Sequence, residues 1–422
     1  MYRVSKPYRN KQKSIYSKRH RRRSGPLLAA VMLAAAVILL FIGWSIEPMV
    51  QDLITGKYRV PTGGSSKSSS RPSSSSKPAS SSSNTSKPAQ ISLKGLYLSQ
   101  SSLSDLQGLD KAAAAAKQAG LNLAVVELKG EDGLLHYASK ISEAQSGGMI
   151  APNAPDAAAA AQELIKNGLT PAAEISCFKD PIAPYSIPNS YVLYSGDHAQ
   201  GWLDNPAPSG HRWLNPYSTA AQQYIIDLAV EAVGLGYKQI YLNNVEFPIN
   251  DSKAWYGDGL PSKEDALKSF VADATKKIEA AGGTVSVVMP GGASVGQGDP
   301  QTGQDQSIYG FAADYLSPNL CPSLMGSGIT IGGASIPKPD LTPGDTVTAA
   351  AVYLKSQAGA KLSVTVPFIQ AFTNTGLGDG NYKQYTSADI NAEIEALKNA
   401  GMTNFVLYAP NGNYDLGGVS TK

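Results

Sequence analysis

The chain has 422 residues and a formal net charge of +3, but this charge is divided very unevenly along the sequence. Ten Lys or Arg lie within residues 1–23, whereas residues 91–422 hold 20 Lys or Arg against 31 Asp or Glu, a net charge of −11. An acidic domain repels a phosphate backbone, so the composition argues against nucleic acid as a partner.

The metal-binding and redox residues are few. The four histidines have no paired spacing, so no zinc site is expected. The two cysteines, Cys177 and Cys321, do not make a disulfide framework, and two unpaired buried thiols are favoured over one bridge. The sequence therefore predicts no metal and no cofactor.

The N-terminal region predicts a membrane anchor. Residues 1–25 form a basic tail, and residues 26–46 contain no charged side chain and are long enough for one transmembrane helix. Basic residues before such a helix favour a cytoplasmic N-terminus, which places the remainder outside the cell membrane. A cleaved signal peptide is the alternative, although the apolar run is long and no small-x-small cleavage site follows it.

Residues 47–90 predict a juxtamembrane segment and a linker. Residues 61–90 consist mostly of Ser, Pro and Lys, and such a segment buries too little apolar surface to fold. Residues 91–422 are the predicted folded domain.

The folded domain alternates short apolar runs with Ala-rich helical patterns. Strands are predicted at 94–98, 123–128, 170–176, 239–243, 284–289, 315–317, 362–368 and 404–408. Helices are predicted at about 103–119, 155–167, 218–235, 261–281, 343–358 and 387–400. Eight strands alternating with helices predict an α/β fold of the TIM (β/α)8 barrel type, with a doubly wound open sheet as the alternative.

The predicted carboxyl ends of the strands carry acidic side chains that suit glycoside cleavage, which needs two carboxyl groups across the bond. The candidates are Glu127, Glu174, Asp180 and Glu246, and each of them taken alone could equally be an ordinary solvated carboxylate. Lys129 and Lys179 lie close enough in sequence to pair with these acids.

A carbohydrate ligand is also favoured by aromatic and amide side chains in the predicted loops. Trp202, Trp213 and Tyr217 could stack on sugar rings, with a core position as the alternative for Trp213. Amide groups can bond sugar hydroxyls. The amides at predicted strand ends and loops are Asn215, Asn243, Gln370 and Asn411.

Several segments in order along the domain resemble a bacterial glycoside hydrolase family known mostly as a domain of unknown function, with an α-amylase-like TIM barrel. The most specific segment is Phe178-Lys179-Asp180-Pro181. Trp213-Leu214-Asn215-Pro216-Tyr217 and the segment from Leu242 to Pro248 are similar to further motifs of that family.

The resemblance also identifies departures at acidic positions. It implies Asp where this chain has Asn215 and Asn243, Arg where it has Glu246, and usually Asp where it has Glu127. The strand-four Asp is the nucleophile that the resemblance implies, and an amide cannot replace it as nucleophile or base.

Three functions remain open on the sequence alone. One is an active glycosidase with relocated carboxylates, such as Glu246 with Glu127 or Asp180. A second is a polysaccharide-binding barrel with impaired catalysis, and the third is a non-catalytic scaffold of the cell envelope.

The predicted topology can be tested directly. Protease added to intact cells without a wall should release a fragment containing residues 91–422, because that domain is expected outside the membrane. A cytoplasmic protein should stay intact in the same sample. Cleavage of the basic tail with protection of the domain would reverse the predicted orientation.

Overall fold

The computed structural model describes residues 92–296, 298–304 and 307–421. The predicted tail, transmembrane helix and linker lie outside these residues. Within the described ranges, no helix combines the length and the apolar character needed to span a membrane.

Eight parallel strands form the central sheet. They are β1 (Lys94–Leu98), β2 (Leu123–Lys129), β3 (Thr170–Ser176), β4 (Gln239–Asn243), β5 (Thr284–Met289), β6 (Tyr315–Pro318), β7 (Phe368–Gln370) and β8 (Phe405–Tyr408). The hydrogen-bonded order is β7-β8-β1-β2-β3-β4-β5-β6. Parallel bridges from Leu316 to Thr365 and from Asn319 to Phe368 join the two ends. The sheet thus closes as a TIM-type barrel, as predicted.

Six helices of ten or more residues lie in the described part of the chain, at the six predicted places. They are α1 (Leu106–Gln118), α2 (Ala157–Lys166), α3 (Thr219–Gly234), α4 (Lys263–Ala280), α5 (Pro343–Ala358) and α6 (Ser387–Ala400). Side chains of Asp105, Asp156, Ser218 and Ser262 accept hydrogen bonds from backbone N–H groups at the first turns. Gly401 ends α6 with φ 89°, a left-handed conformation that glycine adopts without strain.

Shorter elements fill the connections. The helical ones are Ser142–Ser146, Gly291–Ser294 and the 3₁₀ segments Gln100–Leu103, Ala183–Tyr185, Ile308–Gly310, Pro322–Leu324, Pro339–Leu341, Gly359–Val364 and Thr375–Leu377. Leu193–Tyr194 pairs with both Asp197–Gly201 and Ala254–Trp255 in a small antiparallel sheet. Ile329–Ile331 and Ala334–Ile336 form a hairpin. The small antiparallel sheet belongs to the loops that follow β3 and β4, above the carboxyl end of the barrel.

The seventh strand differs from its predicted position at 362–368. Residues 359–364 form a 3₁₀ segment, and the strand proper begins only at Phe368. Thr365 makes a single bridge to β6, and Pro367 has no N–H to donate to a neighbouring strand. The alternating apolar pattern of 362–366 therefore gave the right place in the barrel but the wrong bounds.

Side chains alternate between two apolar regions. The barrel interior holds Tyr97, Leu123, Val125, Ala172, Tyr241, Val288, Cys321, Val366, Phe368 and Val406. The larger region lies outside the sheet, against the helices, and includes Cys177. Both cysteines are free and buried, in different regions. Because side chains alternate along each strand, the inward-facing residues at the carboxyl ends of the strands lie at the mouth of the barrel.

A buried polar network ties β7 to α6. The Gln370 backbone N–H donates to Glu393 Oε2 at 2.9 Å, and the Tyr385 hydroxyl donates to the other oxygen of Glu393. Burial raises the pKa of Glu393 to about 8, although these two hydrogen bonds oppose the shift. Glu393 therefore keeps its proton in the folded protein over a pH range in which the unfolded chain loses it.

The Glu393→Gln variant should flatten the dependence of stability on pH. Between pH 4.5 and 8 the folded state binds the Glu393 proton and the unfolded state does not, so stability falls as pH rises, by at most about 1.4 kcal/mol per pH unit for this group. Denaturant unfolding at several pH values measures the slope. Glu395→Gln, an exposed change on the same helix, is the control and should keep the wild-type slope. Equal slopes in the wild type and in Glu393→Gln would contradict the assignment.

Candidate active site

Two glutamates lie side by side at the mouth of the barrel. Glu127 on β2 and Glu174 on β3 are register partners, and they follow the interior residues Val125 and Ala172 by two positions each. Neighbouring strands lie about 4.8 Å apart, and residues two positions apart share a face. The two carboxyl groups therefore enter the mouth from adjacent strands.

Glu174 is held by an amide. Asn243 Nδ2, at the end of β4, donates to Glu174 Oε1 at 3.1 Å. Burial raises the pKa of Glu174 to about 8, the hydrogen bond from Asn243 opposes this shift, and the charges of Glu127 and Glu131 add to it. Glu174 is therefore mostly protonated at neutral pH.

Glu127 is oriented by an aromatic group. The Tyr97 hydroxyl donates to Glu127 Oε2 at 2.8 Å. The Tyr97 ring lies 4.9 Å from the ring of Tyr408, and the Tyr408 ring lies 6.0 Å from that of Phe372. An aromatic row thus leads from Glu127 toward the loop after β7.

A second polar group surrounds Asn244, the residue after Asn243. Asn244 Nδ2 is 3.2 Å from Glu131 Oε1 and 3.5 Å from Glu246 Oε1. Lys179 forms an ion pair with Glu131. Burial raises the pKa of Glu246, against the opposing hydrogen bond from Asn244 and charge of Lys179. Glu246 and Lys179, both predicted as site residues, therefore lie near each other in the structure.

Sequence reasoning missed Glu131 and Asn244. Asn244 has φ 49°, a conformation that asparagine tolerates better than most residues, and its Oδ1 accepts from Ser176 Oγ at 3.0 Å. The sequence feature that could have identified Asn244 was the Asn243-Asn244 pair at the end of a buried strand. Glu131 follows Gly130 beyond the end of β2, and a lone acid in a loop gives no comparable signal.

Lys129 and Asp180 do not face the mouth. Their side chains are fully buried and form an ion pair at 2.9 Å. Lys129 Nζ also donates to the Ser176 carbonyl, and Asp180 Oδ1 accepts from the backbone N–H groups of Ile182 and Ala183. The predicted substrate role of Lys129 and the predicted catalytic role of Asp180 therefore do not fit this geometry, because both groups support the β3 loop.

Three predicted sugar-binding residues are engaged within the protein. Asn215 Nδ2 donates to the Tyr256 carbonyl, and its Oδ1 accepts from the Tyr217 N–H. The Tyr217 hydroxyl donates to the Pro261 carbonyl. Gln370 is 0% exposed and donates to Asp340 Oδ1 at 2.7 Å. These contacts give all three residues a structural role in place of the predicted contact with substrate.

The two tryptophans predicted to stack on sugar rings, Trp202 and Trp213, form a small apolar cluster with Val192. Trp202 is 4% exposed and Trp213 is 7% exposed, so neither presents a free ring face. Trp213 Nε1 donates to Asp204 Oδ2 at 3.1 Å. The core alternative thus fits Trp213 better than sugar stacking, and the same holds for Trp202.

Three connected cavities lie beside the second polar group. A cavity of about 330 Å³ is lined by Glu131, Lys179 and Trp213, among others. It shares Lys179, Asp204 and Trp213 with a cavity of about 280 Å³ that contains Glu246. The cavity that contains Glu246 shares Asp204, Asn205 and Asn250 with a third cavity, which measures about 460 Å³. Together they form a groove, called here the polar groove.

A separate cavity lies at the loops after β7 and β8. It measures about 580 Å³ and is lined by Ala371, Phe372, Thr373, Asn374, Thr375, Pro410, Asn411 and Asn413. The predicted substrate residue Asn411 is exposed here. This cavity is called here the amide cavity. Among the described residues, no group of three or more His, Cys, Asp or Glu is placed to hold a metal ion.

A parallel barrel with paired carboxyl groups at the carboxyl ends of its strands is an arrangement that glycoside hydrolases use. Residues 95–414 match the model of the family described as "Putative glycosyl hydrolase domain". The chain belongs to this family, and the resemblance drawn from its motifs is confirmed.

The chain is similar to several solved structures, one of which shows the same fold. The glycoside hydrolase domain of PgaB (BpsB) from Bordetella bronchiseptica has a TM-score of 0.55 at 13% identity, over 76% of this chain and 94% of that one. A hypothetical protein from Ruminiclostridium thermocellum ATCC 27405 is 24% identical over 46% of this chain and 96% of its own, with a TM-score of 0.41. A chitinase from Chromobacterium violaceum ATCC 12472 has a TM-score of 0.47 at 12% identity, over 78% of this chain and 98% of that one. No curated protein matches the sequence. At 13% identity, the PgaB domain shows a shared fold alone.

The buried ion pair and the exposed one should respond very differently to mutation. Asp180→Asn keeps an oxygen for the two backbone N–H groups but leaves Lys129 buried without a counter-charge, so we expect a loss of about 3–5 kcal/mol in unfolding free energy. Glu131→Gln breaks the exposed pair with Lys179 and should cost no more than about 1 kcal/mol. Denaturant unfolding compares them, and equal losses would contradict the structural role of Asp180.

Proposed function

We propose that this protein is a membrane-anchored, extracytoplasmic glycosidase that cleaves a polysaccharide with Glu127 and Glu174 as its catalytic pair. The observation that carries the proposal is their placement on adjacent strands at the barrel mouth, with the pKa of Glu174 raised to about 8. Enzymes that use two carboxyl groups need one protonated and one ionised, and different environments separate the two states.

The proposed chemistry uses Glu174 as the proton donor and Glu127 as the nucleophile. Glu174 gives its proton to the glycosidic oxygen as the bond from that oxygen to the anomeric carbon breaks. Glu127 attacks the anomeric carbon and forms a glycosyl ester, which water then hydrolyses as Glu174 takes back a proton. Retaining enzymes hold their carboxyl groups about 5–5.5 Å apart, and the spacing of neighbouring strands, about 4.8 Å, is of the same order.

Catalysis is relocated in this proposal. The family resemblance implies a nucleophile on strand four, where this chain has Asn243. Here the Asn243 amide donates to Glu174 instead, which an ionised aspartate could not do. The second candidate function is glycan binding without hydrolysis. It is favoured by Asn243, because an amide cannot act as the nucleophile that the resemblance implies at this position.

The proposed location rests on the N-terminal sequence. The uncharged stretch 26–46 after a basic tail supports one membrane-spanning helix, and the Ser-rich linker supports a domain held away from the membrane. A glycan of the cell envelope is then the partner within reach.

Neutralising either glutamate should abolish cleavage. Glu127→Gln and Glu174→Gln keep the shape of the site but remove the nucleophile or the acid, and we expect kcat to fall by at least about 10²-fold. Assays on aryl glycosides, α-glucans, chitin and purified peptidoglycan measure it, with the exposed Glu395→Gln as the matched control. Both variants should still bind the polymer that the wild type cleaves. Binding of a polymer that the wild type does not cleave would favour the second candidate.

The same assay gives a pH signature for Glu174. The acid must be protonated, so kcat should be full below its pKa and fall about tenfold per unit as pH rises beyond about 8. Residual activity of Glu174→Gln should lack this alkaline limb. If that variant keeps the wild-type limb, another group is the acid.

A further inference from the structure

We infer that the cleft takes an internal segment of a linear polysaccharide, so that cleavage occurs within the glycan chain rather than at its ends. This inference rests on the proposed role of Glu127 and Glu174. Its evidence is that contacts lead from Glu127 to the amide cavity and from Glu174 to the polar groove.

The first side is reached through aromatic contacts. The Glu127 carboxylate accepts from Tyr97, whose ring packs on Tyr408, and the Tyr408 ring in turn lies against Phe372. Phe372 lines the amide cavity. No residue lining that cavity is charged, and its amides and hydroxyls can both donate and accept. The amide cavity therefore suits neutral sugar units.

The second side is reached through amides. Glu174 accepts from Asn243, and the next residue, Asn244, contacts Glu131 and Glu246. Glu131 and Glu246 line the two nearest cavities of the polar groove. The groove continues past Asn205 into its third cavity. This side therefore extends well beyond a single sugar unit.

The sizes of the cavities support binding sites on both sides. The amide cavity and two of the three groove cavities exceed 300 Å³, the lower end of volumes typical for small-molecule sites. An enzyme that removes single sugars from chain ends needs a site closed on one side of its carboxyl pair. Here a chain can continue in both directions, which fits an internal segment of a polymer.

Filling either cavity system should weaken polymer binding. Thr375→Trp places a large side chain in the amide cavity, and Asn205→Trp places one where two groove cavities meet; both positions are exposed, so the fold should tolerate them. The control is Val352→Trp, at an exposed position on α5. Circular dichroism checks folding, and Thr375→Ala and Asn205→Ala serve as second variants.

Binding is measured in the Glu174→Gln background with amylose, glycol chitin and soluble peptidoglycan strands. Each filling variant should weaken binding of the preferred polymer by at least about tenfold, whereas the control should not. In the active protein, early products should be long fragments, and the control Val352→Trp should cleave a small aryl glycoside as the wild type does.

Two results would overturn the inference while leaving the proposed function intact: release of single sugars as the first products, or loss of binding with only one of the two filling variants. Polymer binding that both variants weaken, without any cleavage by the wild type, would instead remove the catalytic proposal and retain the two-sided cleft. Binding of none of the three polymers would overturn both.

Discussion

The site depends on the hydrogen bond from the Asn243 amide to Glu174. An aspartate at this position would place a third carboxyl group beside Glu174 and Glu127. Like charges this close cannot all ionise, so the protons would be shared across the group. The amide supplies a donor without a charge, and this leaves Glu127 and Glu174 as a separate pair.

The pair is held by a rigid support behind it. Lys129 and Asp180 are removed from solvent together, and burying two charges is tolerable only when they pair closely and their remaining atoms are bonded. Lys129 meets this requirement through the Ser176 carbonyl, and Asp180 meets it through two backbone N–H groups. These bonds join the end of β2 to the end of β3 and to the loop that follows. The two strands that carry Glu127 and Glu174 are thus fixed relative to each other, which catalytic geometry requires.

The sequence predicted the barrel well because apolar periodicity reports burial, and burial decides strands and helices. The bounds of β7 were wrong because a 3₁₀ segment also alternates in apolar character over a few residues. The site was harder to predict. Residues two apart should share a face, so Lys129 should join Glu127 in the mouth, but the register of β2 shifts between them and pairs Lys129 with Ile175. An irregularity of this kind turns a side chain to the other face of the sheet and leaves no mark in the composition.

Glu246 remains the other acid with a raised pKa, and geometry decides its place. It lies in the loop three residues beyond the end of β4, whereas Glu127 and Glu174 are register partners on adjacent strands. Its side chain contacts Asn244, the residue after Asn243, and it lines a cavity of the polar groove rather than the barrel interior. A carboxyl group in that position can accept hydrogen bonds from sugar hydroxyls. Glu246 therefore fits the binding part of the proposed cleft, and the proposed division is between acids on the interior face of the strands and an acid in the loop beyond them.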